Sequence, residues 1–128
     1  MLAFVEKLRQ YDDFVESRGA SLNEINDAER QLHVEFSDEY KEYLAECGVA
    51  TANGYEFTGI CQSKRLDVVC VTEKEWKNER EIPEGAYVVE QTHIDGIVIW
   101  QTKDGTVYQS QGNSFIRICD SLYEYINR

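Results

Sequence analysis

Residues 21–48, SLNEINDAERQLHVEFSDEYKEYLAECG, decide how the rest of the chain is read. Ser21 and Glu24 form a Ser-x-x-Glu capping box, in which side chain and backbone satisfy one another at the first turn of a helix. Ile25, Ala28 and Leu32 then share one face, and the helix ends near His33. Ser37 is the next cap. Asp38 and Glu39 fill the first turn behind it, favourable beside the positive end of the helix dipole, and Gly48 closes the segment. The spacing predicts helices over 22–32 and 38–47, the second burying Tyr40, Tyr43, Leu44 and Cys47. Asp38, Glu42 and Glu46 recur every fourth residue on the opposite face, with Glu35 and Glu39 nearby and only Lys41 among them. Like charges at that spacing cost about 0.3 kcal/mol per pair. Two readings of the face stay open: an ordinary solvated surface, or an acidic ridge that meets a partner.

Upstream, Phe4, Leu8, Tyr11 and Val15 repeat at helical spacing, widened by Val5 and Phe14. This predicts a helix over 2–17, stopped by a left-handed Gly19. Downstream the period changes. YEFTGI (55–60), LDVVCVT (66–72), YVVEQT (87–92), IVIWQT (97–102), TVYQS (106–110) and FIRI (115–118) read as short strands, KDG (103–105) as a hairpin turn, and VATANG (49–54) as a loop. TEKEWKNE (72–79) opens on a Thr-x-x-Glu box at Thr72 and Glu75 and predicts an inserted helix that ends before Pro83. Asp120 is expected to cap a closing helix, SLYEYINR (121–128), that turns Leu122, Tyr123 and Ile126 inward. Helices followed by mainly antiparallel strands, with a late inserted helix and a C-terminal helix, give an α+β class: N-terminal helices packed on a curved sheet. No linker or repeat divides the chain, so one domain over 1–128 is expected.

A chain of 128 residues buries about two-thirds of the surface its unfolded form exposes, enough for a core without a disulfide or metal staple. The net charge of -11 repels phosphate backbones and anionic membranes and attracts basic partners, which argues against nucleic-acid binding. Acidity of this kind equally suits a protein that needs only to stay soluble. The opening MLAFVEKLRQYDDF has no basic n-region, and Glu6 interrupts its apolar run. No apolar stretch approaches the ~20 residues needed to cross a bilayer, and a cytoplasmic location is expected. Cys47, Cys61, Cys70 and Cys119 are widely spaced with no C-x-x-C, which predicts four reduced thiols.

The chain carries no nucleophile elbow, phosphate-cradling glycine loop or metal-ligand pair. His33 at a helix end and His93 in the turn THIDG lie on different elements, and carboxylates are too abundant for any two to stand out as an acid and a base. Neither catalysis nor a metal or cofactor is expected. Trp100 reads as core, and Trp76, flanked by Lys74, Glu75 and Lys77, as a surface edge.

The capped helix with Ile25, Ala28-Glu29 and Leu32, the apolar step, and the Tyr-Lys-x-Tyr-Leu helix ending in Gly48 resemble the SUKH superfamily of bacterial immunity proteins, related in fold to a fungal cell-wall-synthesis regulator. YEFTGI is similar to that family's first strand with its Thr-Gly step, VIWQTKDGTVYQ to its late hairpin, and SFIRICDSLYEYI to its closing strand and helix. Many members have Leu-Pro before the third helix, where this chain has Phe36 and Ser37. The resemblance implies a non-catalytic antidote that binds and blocks a toxin delivered by neighbouring cells. Many such toxins are nucleases, basic where they hold a polyanion, so an acidic inhibitor would be steered to them through Glu35, Asp38, Glu39, Glu42 and Glu46. The alternative is a scaffold or regulatory interaction module on the same fold. The oligomeric state stays open between a monomer and a weak dimer.

Overall fold

The structure, a computed structural model, describes residues 3–78 and 82–128. Its elements run α1 (Ala3–Arg9), β1 (Val15–Glu16), α2 (Leu22–Leu32), α3 (Asp38–Cys47), β2 (Ala50–Ala52), β3 (Tyr55–Glu56), α4 (Val68–Trp76), β4 (Tyr87–Gln91), β5 (Val98–Gln101), β6 (Val107–Gln111), β7 (Ser114–Cys119) and α5 (Leu122–Ile126). The class is α+β, as the pattern predicts. α2 and α3 occupy the expected residues: the Ser21–Glu24 box is complete, His33 closes α2 in the left-handed region at φ 56°, and Ser37 accepts from Tyr40 N.

β4–β5–β6–β7 form a four-stranded antiparallel meander, and β1–β2–β3 a smaller antiparallel sheet beside it. Register shifts at Val88/Glu90 and Val107/Tyr108 are of the kind that bend a sheet. Tyr87, Val89, Ile99 and Val107 lie on the face that meets α1, α2, α3 and α5, where Phe4, Leu8, Leu32, Phe36, Tyr40 and Tyr43 complete the main core. Val88, Val98 and Trp100 point the other way and pack with Val71 of α4 and Ala86. Trp100 is fully buried and donates from Nε1 to Ser110 Oγ at 3.0 Å, whereas Trp76 lies partly exposed.

Several segments depart from the pattern-based expectation, each for a local reason. α1 stops at Arg9 instead of continuing to residue 17, because Asp13 turns the chain by accepting from Asn53 N at 2.9 Å and Val15–Glu16 then pair with Ala50–Thr51. Leu2, where that helix was expected to begin, lies outside the described residues. Val15 is consequently exposed, and Gly19 is no left-handed stop: a Cβ there would collide with the Ala45 carbonyl oxygen as the chain crosses the end of α3. Residues 50–52, expected in a loop, form the central strand of the small sheet.

The largest difference is at LDVVCVT, which is helical. Asp67 caps α4 by accepting from Cys70 N at 3.3 Å, and Val68, Val71, Thr72 and Glu75 form its buried face. Thr72 is therefore inside the helix, where its Oγ1 accepts from Val88 N at 3.0 Å, and caps nothing. Glu79, in the expected inserted helix, lies outside the described residues. At the C-terminus Ser121, not Asp120, caps α5, and Asp120 pairs with Arg117. The buried tyrosine there is Tyr125, while Tyr123 is exposed, since positions 122, 125 and 126 share the inward side of a helix starting at Leu122. All four cysteines are free thiols.

Two close constraints lock the small sheet to the rest. Gly59 N–H donates to Leu66 O at 2.9 Å and Ile60 N–H to Gly48 O at 3.0 Å, an approach so tight that a Cβ on Gly59 would collide with the Gly48 carbonyl. Glu90, buried on β4, accepts from Tyr125 Oη at 2.6 Å and from Glu56 N at 2.9 Å, joining α5, β3 and β4. Gly59→Ala is expected to lower the unfolding free energy by about 3 kcal/mol in urea denaturation, against about 1 kcal/mol for Gly54→Ala, which has φ 83° but open space around it. Equal costs would contradict the close approach.

Burial raises the Glu90 carboxyl above its ordinary 4.5, against the two hydrogen bonds that favour the ionised form. The folded protein thus holds this proton more tightly than the unfolded chain does. The stability it contributes is full below the ordinary value and is lost as pH rises through the raised one. The unfolding free energy of wild type minus that of Glu90→Gln is expected to fall as pH rises above the ordinary carboxylate range. A difference that stays flat, or rises, contradicts this.

Candidate partner-binding surface

α3 is pinned from behind by its tyrosines. Tyr40 and Tyr43 are fully buried with rings 5.6 Å apart. Thr58 Oγ1 spends its proton on Val88 O at 2.8 Å, so the Tyr40 hydroxyl donates to Thr58 Oγ1 at 2.8 Å. Tyr43 Oη donates to Thr58 O and accepts from Ala50 N, both at 2.9 Å. Cys47 completes this face, its thiol pushed up to about 12 chiefly by burial. With both hydroxyls committed, the rotation of α3 about its axis is set, and residues 38, 42 and 46 face away from the core.

The structure places the five candidate acids in different circumstances. Asp38 is exposed. Glu42 is half-buried on the same side of α3. Glu46 lies 3.5 Å from Arg9, whose guanidinium also reaches Glu16 at 3.2 Å. Glu35, in the α2–α3 connection, pairs with Lys103 at 3.0 Å. Glu39 is drawn inward: Oε1 accepts from Leu122 N at 2.7 Å and Gln101 Nε2 at 3.1 Å, and Oε2 from Tyr123 N at 3.0 Å. It satisfies the first turn of α5, and its charge is not free on the surface. Asp38, Glu42 and Glu46 remain as the outward row, with Glu35 at its N-terminal end.

Glu39 belongs to a buried polar network that spacing alone does not reveal. Gln101, fully buried at the end of β5, accepts at Oε1 from Ser37 Oγ at 3.0 Å and Tyr87 Oη at 2.9 Å. Its Nε2 donates to Glu39 and to Gly105 O at 3.0 Å. Ser37 N–H donates to Tyr87 Oη at 2.9 Å, a bond that proline at this position could not make. Serine here is both a helix cap and a junction between α3 and the sheet. The available signal was Gln101 itself, a polar residue two positions after inward-facing Ile99.

Beside Glu35 an open groove of about 910 Å³ runs between the end of α2 and the β5–β6 turn, lined in part by Glu29, His33, Glu84, Lys103 and Tyr108. His93 borders a different cleft with Glu90. Among the described residues no cluster of three His, Cys, Asp or Glu side chains is arranged to hold a metal ion. No helix of the described residues is long and apolar enough to cross a membrane. The chemistry on offer at the α3 face is charge and hydrogen bonding on a rigid helix, suited to recognising a cationic surface.

The fold and this surface define a small α+β domain that carries a helical layer on an antiparallel meander. The family is specific: a family model described as SUKH_5, SMI1-KNR4 cell-wall, matches residues 1–128, and the chain belongs to that family, within the SUKH superfamily. No curated protein matches the sequence.

Glu39→Ala would strand Leu122 N, Tyr123 N and one Gln101 donor, and is expected to cost about 2–3 kcal/mol in urea denaturation. Asp38→Ala is expected to cost less than about 1 kcal/mol. Similar losses for the two would contradict their different placement.

Proposed function

We propose that residues 1–128 act as one cytoplasmic domain, an immunity protein that binds a cognate bacterial toxin and blocks it without catalysis or a cofactor. The toxin is a basic protein domain, a nuclease in the simplest case, and the inhibitor occupies its polyanion-binding surface. Family membership supports the class of protein. The observation that carries the mechanism is the outward row of Asp38, Glu42 and Glu46 on a helix locked by Tyr40 and Tyr43. Such a row attracts a cationic partner at long range without needing to reorganise, and the chain's charge of -11 adds to the steering.

The test reverses Asp38, Glu42 and Glu46 to Lys and compares a control set of exposed acids elsewhere, Asp12, Glu73 and Glu124. With the product of the adjacent gene immobilised for interferometry, the ridge variant is expected to associate about tenfold more slowly at low ionic strength, and the control set much less so. Raised salt is expected to slow the wild type in the same direction. Equal effects of the two sets would move the contact off α3, and absence of any complex would favour a scaffold role on the same fold.

A further inference from the structure

The two edges of the four-stranded sheet are treated differently. Along β4 the outward backbone groups are taken: Val88 N donates to Thr72 Oγ1, Val88 O accepts from Thr58 Oγ1, Val89 O accepts from Thr58 N at 2.9 Å, and Phe57 bridges Glu90. Along β7 nothing comparable occurs. Among the described residues, the backbone of 114–118 is hydrogen-bonded only through its pairing with β6. An unpaired strand edge is a template for another strand, and proteins that avoid this place charge, proline or a covering element on it. β7 reads Ser-Phe-Ile-Arg-Ile-Cys, with no proline and no carboxylate, and its Ile116 is 51% exposed.

The charge pattern selects the occupant. With 24 acidic residues in the chain, a second copy meets carboxylates on most approaches. Residues 105–119 are the longest stretch without Asp or Glu, and they include β6 and all of β7. Arg117 is the one charge in that stretch, and Asp120 just beyond it is already paired with Arg117. A basic partner finds nothing there to neutralise it, whereas a second copy of this acidic chain finds a backbone ladder free of carboxylates.

We propose that β7 is a self-association edge: two copies pair β7 with β7 antiparallel about a two-fold axis, joining their four-stranded sheets into one. The contact is isologous, so each copy presents the same residues to the other. A register centred on Ile116 sets the two Ile116 side chains side by side. It also sets Phe115 of each copy opposite Arg117 of the other, on the face where Phe115 already borders Trp100 and Tyr108. One short strand buries little area, so the dimer belongs to the weak end of specific interfaces. Two chains of -11 each repel at long range, and added salt therefore strengthens this association, the reverse of its effect on attraction to a basic toxin.

Sedimentation equilibrium of the purified chain, between about 10 µM and about 1 mM and at low and high salt, tests this. The mass is expected to climb from monomer toward dimer with concentration, and the association constant to grow severalfold with salt. Ile116→Lys sets like charges face to face at an exposed position, and is expected to weaken association at least tenfold while leaving the thermal unfolding of the monomer unchanged. Hydrogen exchange at 114–118 is expected to slow at high concentration in the wild type and not in the variant. A monomer mass under every condition overturns the proposal, as does a dimer that Ile116→Lys leaves intact.

Discussion

The side chain of Gln101 is the point on which the layers of this domain agree. It sits in the core with both amide hydrogens and its oxygen engaged, and its partners come from four places in the chain: Ser37 before α3, Glu39 in its first turn, Tyr87 on β4 and Gly105 in the β5–β6 turn. Glu39 passes the connection on to the N-terminus of α5. Each such hydrogen bond contributes only about 1 kcal/mol net, but each group left unpaired in the core costs more than that. The network therefore acts chiefly by excluding alternatives: a shift of α3 along the sheet, or of α5 against α3, would strand several polar groups at once.

The same constraint shapes the surface. Glu39 is fixed as an internal acceptor, and Tyr40 beside it and Tyr43 one turn on hold the buried side of α3 against Thr58. What the helix can show to solvent is then decided: Asp38 and Glu46 are exposed, with Glu42 half-buried between them. Lys41 leans the other way, 3.7 Å from Glu29, so it does little to offset the row. An acidic face on a rigid support meets a basic partner with little ordering cost, which is the physical content of reading this family member as an inhibitor by binding.

Much of this was legible in the sequence where a cap and a period coincide. Ser21 with Glu24 and Ser37 with Gly48 located α2 and α3, and β-branched and aromatic runs broken by turn residues located β4 to β6. LDVVCVT misled because a short apolar run carries both periods, and Asp67, the cap that arbitrates, lies inside the run. Val15 continued a helical stripe that ends earlier, since its pairing with Thr51 depends on a contact far along the chain. The outward direction of Asp38, Glu42 and Glu46 followed from spacing alone. The capture of Glu39 did not, because its partners at 101, 122 and 123 are brought to it only by the fold.

The proposed inhibition of a basic toxin runs through the exposed side of α3. Hydrogen exchange of the chain, alone and mixed with the product of the gene adjacent to its own, tests it most directly. The account predicts a stoichiometric complex in which new protection concentrates in residues 35–46, with the β7 edge no more protected than in the free chain at the same concentration. Protection confined to another face, or a complex that leaves 35–46 exchanging as before, would contradict it.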